Sequence, residues 1–164
     1  MKYFKIFLII LLIALIIIQF FRPERNVQTA SSPNDIVAHY STPDAAQNIL
    51  HKACYDCHSN NTTYPWYANV QPVAWWLDDH IKEGKKELNF SEFASYRMRR
   101  QFHKMEEVVE MVKEGEMPLE SYTYIHRDAK LTQQEREVLV SWASTVMDTM
   151  KANHPLDSLI APKK

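Results

Sequence analysis

Two cysteines stand three residues apart in this 164-residue chain, at Cys54 and Cys57, and His58 follows at once. No other cysteine is present, so a small domain stapled by several disulfides is excluded. Two thiols one helical turn apart can instead add to the two vinyl groups of a haem lying against the turn, and the adjacent imidazole can then reach the iron. The expectation is one haem c, covalently attached through Cys54 and Cys57, with His58 as the proximal iron ligand. A thioredoxin-type pair would follow a strand in a βαβ unit, and no such pattern surrounds these residues. A structural zinc site would need a second Cys or His pair nearby, whereas His39, His51, His80, His103, His126 and His154 are scattered singly. A simple disulfide between the two cysteines is the remaining alternative.

The N-terminus is a separate segment. Residues Ile6 to Ile18 are unbroken apolar sequence, extended through Gln19 to Phe20 and Phe21, with Lys2 and Lys5 before them and Arg22 after. No small-x-small cleavage site follows, so the run reads as an uncleaved signal-anchor. Its length of about 16 to 18 residues lies near the lower limit for a span, and the basic flank fits export better than a buried core helix does. Residues 1–22 are therefore expected to form a single transmembrane helix. The protein would then be single-pass in the cytoplasmic membrane, with its haem domain on the periplasmic, extracytoplasmic side. Residues 23–41 are polar and rich in Ser, Thr, Asn and Pro, which predicts a flexible tether.

Residues 42–152 read as one all-α domain, followed by a tail at 153–164. Thr42 can cap a helix that has Pro43 at its first position and runs through Ala46, Ile49, Leu50 and Ala53 into Cys54. A loop with Pro65, Trp66 and Tyr67 leads to a short helix over 73–83 that is expected to stop at Gly84. Ser91 can cap another helix. Met105, Val108, Val109 and Val112 form the apolar stripe of the next one, which Gly115 ends. Thr132 and Glu135 have the spacing of a capping box and open a helix with Val138, Leu139, Trp142, Ala143 and Val146 inward. No segment alternates as a strand would.

Charge and glycine content narrow the function. The net charge is −1; without Lys2, Lys5 and Arg22 the 19 basic residues fall to 16 against 20 acidic, and such a balance does not suit nucleic-acid binding. Two glycines in all leave no phosphate-binding loop or dinucleotide fingerprint.

For the second axial ligand of the iron, Met117 fits best. It follows the helix stop at Gly115, precedes Pro118 and lies on a loop, where a core methionine seldom sits. His80, His103 and His126 are the competitors, and an open sixth site is the other alternative. Trp66, Tyr67, Trp75 and Trp76 could wall the haem or serve as core. Arg97, Arg99, Arg100 and Lys104 read as a solvated helix face in preference to a docking patch.

The run from Cys54 to Tyr67, then Pro72, His80–Gly84, Leu88–Ser91, Gly115–Pro118 and Leu131 to Trp142, resembles the haem-binding domain family of bacteria, and the order of helix, CxxCH, Met-Pro loop and closing helix is similar to class I cytochrome c. The likeness covers roughly residues 40–150. It implies a cytochrome c-like helical domain, thioether bonds from Cys54 and Cys57, and His58 and Met117 on the iron. In cytochromes c a Pro carbonyl accepts the imidazole N–H; Pro65 and Pro72 are both available here. The expected function is one-electron transfer with redox partner proteins that the sequence does not name. No side chain is expected to do catalytic work, so the chain is not read as an enzyme. A haem-based ligand sensor or the haem subunit of a larger redox enzyme are the rival readings.

Overall fold

Apolar residues at helical spacing place two long helices at the centre of the structure, a computed structural model that describes residues 1–28 and 30–160. The first, α6 (Met98–Glu114), buries Phe102, Met105 and Val112. The second, α8 (Gln133–Asn153), buries Leu139, Trp142, Ala143, Val146 and Met150. These two pack together, and α3 (Asp44–Ala53) lies on α8 through Ala46, Ile49 and Leu50. The remaining helices are α1 (Lys2–Ile18), α2 (Ile36–His39), α4 (Tyr55–His58), α5 (Val73–Glu87), α7 (Glu120–Thr123) and α9 (Leu156–Leu159), with 3₁₀ turns at Trp66–Asn69, Phe90–Ser95 and Arg127–Ala129. Among the described residues there is no β-strand, only an isolated bridge between Val27 and Asn61.

Helix boundaries follow local chemistry. Thr132 Oγ1 accepts from the Glu135 N–H while the Glu135 carboxylate accepts from the Thr132 N–H, which completes the capping box expected there. Gly115 ends α6 in the left-handed region at φ 77°. Thr42 does not cap α3. Its hydroxyl donates to the Tyr40 carbonyl and accepts from Trp142 Nε1 instead. Nor does Gly84 stop α5, which runs on through it to Glu87. The turn after Asn89 is 3₁₀, and its cap is the Asn89 side chain, which accepts from the Ser91 N–H.

The expected transmembrane helix at 1–22 is overturned, and with it a single-pass protein of the cytoplasmic membrane whose haem domain faces the periplasm. Among the described residues no helix is long and apolar enough to cross a membrane. α1 ends at Ile18 after 17 residues, a rise of about 25 Å against the roughly 30 Å of a hydrocarbon core. It ends there because Gln19 turns its amide to another part of the chain. Gln19 Nε2 donates to the Gln71 carbonyl and Gln19 Oε1 accepts from the Gln71 N–H, at 3.1 and 2.9 Å. The Phe21 carbonyl then accepts from Gln71 Nε2 and Trp75 Nε1.

Residues 23–41, expected as a flexible tether, also lie against the domain. Asn26 bonds Tyr64, Ser59 and Thr62, and Ile36 is fully buried. Thr29, within that segment, and residues 161–164 of the C-terminal tail lie outside the described residues.

The core has two parts. The larger joins Ile36, Leu50, Phe90, Phe93, Met105, Leu139 and their neighbours; the smaller is Tyr67, Leu77 and Ile81. Replacing Thr132 by Ala, which removes one arm of the capping box, is expected to cost about 1 kcal/mol in urea unfolding.

Candidate functional site

The single helical turn α4 sits between the two parts of the core. Cys54 and Tyr55 pack on the larger, Cys57 on the smaller. The Cys54 carbonyl accepts from the N–H groups of Cys57 and His58 at 3.2 and 2.9 Å, and this holds residues 54–58 as a turn. α5 crosses it closely: a Cβ added at Gly84 would lie 2.7 Å from the Cys57 carbonyl oxygen. Any side chain there would push α5 and the turn apart.

His58 Nδ1 stands 2.9 Å from the Leu88 carbonyl oxygen. A carbonyl only accepts, so Nδ1 carries the proton and Nε2 is left with the free lone pair. The acceptor expected from the sequence was Pro65 or Pro72; the structure uses neither. Burial lowers the imidazole's proton affinity, against the carbonyls of Leu88 and Gly84, which raise it. Partial burial pushes the Cys54 thiol up to about 12, with Cys57 adding to it, and the Cys57 thiol up to about 11, with Asp56 adding to it. Both are protonated thiols.

Beside this turn lies a cavity of about 300 Å³ whose walls include Cys57, His58, His80, Gly84, Met117 and Tyr122. Met117 arrives from the far end of α6. Gly115 reverses the chain, the Glu116 and Met117 N–H groups both bond the Met111 carbonyl, and Arg136 Nη1 donates to the Val112 carbonyl beside them. A Cβ at Gly115 would meet only the movable end of the Arg136 side chain, so the positive φ of 77° is what calls for glycine there.

Of the residues singled out from the sequence, Cys57, His58 and Met117 come together at the cavity, and His80 joins them. Cys54 is not part of its walls and lies at the opposite end of the same turn. His103 stands apart on α6, beside Glu106 and Glu107. His126 is also outside the walls; its Nε2 lies 2.6 Å from the Tyr67 hydroxyl. None of the aromatic group lines the cavity: Trp66 is 79% exposed, Trp75 donates to Phe21 and Trp76 packs on His80. In the basic cluster Lys104 is buried between Glu87 and Glu107, while Arg99 and Arg100 donate to backbone carbonyls.

Sequence reasoning missed Asp56. Its carboxylate accepts from the Thr63 N–H at 2.9 Å and from the Tyr122 hydroxyl at 2.7 Å. Burial and this carboxylate push the Tyr122 phenol well above its ordinary pKa, so the hydroxyl stays a donor.

An imidazole with its tautomer fixed, a thioether and a thiol around one cavity are a donor set that fits haem, whose iron takes His and Met and whose vinyl groups take thiols. A family model described as a haem-binding domain matches residues 13–145. The chain belongs to the haem-binding domain family. No curated protein and no solved structure matches it, so the likeness to class I cytochrome c expected from the sequence gains no structural relative. As a member of the haem-binding domain family the protein binds haem, and the cavity beside α4 is where its residues fit that cofactor.

Gly84→Ala discriminates a close contact from an ordinary helix position. In an open helix the change would stabilise by about 1 kcal/mol; here it is expected to destabilise by about 2 kcal/mol in urea unfolding, from the overpacking against Cys57.

Proposed function

We propose that this protein carries one covalently attached haem c and exchanges single electrons with redox partner proteins. The observation that carries the reading is the convergence of Cys57, His58 and Met117 on one cavity. Bound there, haem supplies a ferric–ferrous couple worked one electron at a time.

The chain's own residues provide attachment, ligation and orientation. Cys57 offers its thiol at the cavity wall, and Cys54 offers the second thiol from the other end of the same turn. His58 provides Nε2 because Nδ1 is committed to the Leu88 carbonyl, and that hydrogen bond also orients the ring and raises its basicity as a ligand. Met117 provides a soft sulfur from a loop on a different helix, which favours reduced iron and raises the potential. The reading assigns no catalytic residue and no enzymatic turnover.

Attachment is tested by haem staining after denaturing electrophoresis. The stain is expected to stay with the chain, to fall in Cys54→Ala or Cys57→Ala and to vanish in the double variant; a chain without stain refutes covalent attachment. Ligation is tested by the optical spectrum, which should be six-coordinate and low-spin with a far-red sulfur-to-iron band. Met117→Ala is expected to abolish that band, lower the midpoint potential and open the iron to CO. An unchanged spectrum would remove Met117 from the iron.

A further inference from the structure

The loop that brings Met117 to the cavity is short of anchors. α7 is a single turn, and Leu119, Tyr124 and Ile125 are exposed. One turn of helix has little stability of its own. Among the described residues, only two side-chain hydrogen bonds leave residues 117–126 for another part of the chain: Tyr122 to Asp56, and His126 with Tyr67. The two loop rings are stacked on each other, 4.2 Å between centroids and 7° from parallel, so the two anchors act as one unit. Asp56 lies inside the attachment turn, between Cys54 and Cys57, and its other oxygen holds the Thr63 N–H. One carboxylate thus ties together the attachment turn, the loop after it and the loop that carries Met117.

Resting on the ligation proposed above, we propose that Tyr122 is a positioning residue for Met117: its bond to Asp56 fixes the Met117 loop against the attachment turn and holds the thioether in place as an iron ligand. Among the described residues, the hydrogen bonding of Met117 itself does not do this. Its own backbone N–H reaches only the Met111 carbonyl at 3.3 Å, a contact within the end of α6. The Tyr122–Asp56 bond instead spans 66 residues of sequence and joins the two sides of the cavity directly. At 2.7 Å it is a short, well-formed hydrogen bond. With the bond gone, the His126–Tyr67 contact is the one side-chain hydrogen bond left to tie the loop among the described residues, so the thioether would be less firmly held and the sixth position open to an external ligand.

Tyr122→Phe is the informative variant, because it keeps the ring and its stacking on His126 and removes only the hydroxyl. Amides of residues 119–126 are expected to exchange hydrogen about ten-fold faster than in the unaltered protein, with α8 unchanged. In the haem-loaded protein the covalent stain should persist, the far-red sulfur-to-iron band should weaken or disappear, and CO should enter about ten-fold faster. Asp56→Asn can still bond the Tyr122 hydroxyl through its amide and should keep the band, whereas Asp56→Ala should behave as Tyr122→Phe. A band untouched in Tyr122→Phe overturns the positioning role, whether or not the amides exchange faster. If the unaltered protein itself lacks the band, it is Met117 ligation that fails, and the positioning role falls with it.

Discussion

The backbone of α5 passes so close to the Cys54–His58 turn that only a hydrogen atom fits between Gly84 and the Cys57 carbonyl. That contact governs the geometry of the site. It sets α5 against α4, and with them Leu77 and Ile81 against Cys57. Because α5 continues through Gly84 to Glu87, Leu88 follows directly and presents its carbonyl to His58. A bulkier residue would shift the helix that delivers this acceptor, and the imidazole would lose what fixes its tautomer. Helix packing and the orientation of the His58 imidazole are therefore set by the same close backbone approach.

Much of this was legible from residues alone, for physical reasons that differ from element to element. The long helices α6 and α8 show plainly because their apolar stripes repeat over many turns and their ends carry strong local signals, Gly115 and the Thr132–Glu135 pair. The Cys54–His58 turn is visible because its chemistry is local. Long-range partners are another matter. That the imidazole acceptor is Leu88, 30 residues away, depends on how α5 ends, and a backbone carbonyl has no side-chain signature. Asp56 reads as filler between two cysteines until the fold brings Tyr122 to it. Gly84 did carry a signal: an isolated glycine within a helical pattern is either a stop or a close approach, and the packing of α5 selects the second.

The N-terminal segment shows where a strong local signal misleads. Its apolar run is real and α1 is helical throughout, with its side chains exposed. The expected span carries the apolar stretch through Gln19 to Phe21. The structure ends the helix at Ile18 because the Gln19 amide exchanges two hydrogen bonds with the backbone of Gln71. Since Gln71 is itself buried, that pairing joins α1 firmly to the loop before α5. A polar residue with a specific distant partner outweighs the hydropathy of its neighbours.

The division of the core has a consequence for how the molecule breathes. Local opening costs free energy in proportion to the apolar contacts that must be undone. On one side the Cys54–His58 turn rests on the large cluster around Leu50, Phe90 and Trp142; on the other it meets a smaller one around Tyr67, Leu77 and Ile81. The two flanks of the turn are thus cooperative units of unequal strength. Cys54 rests on the larger cluster and Cys57 on the smaller, so opening on the Cys57 side undoes fewer buried apolar contacts.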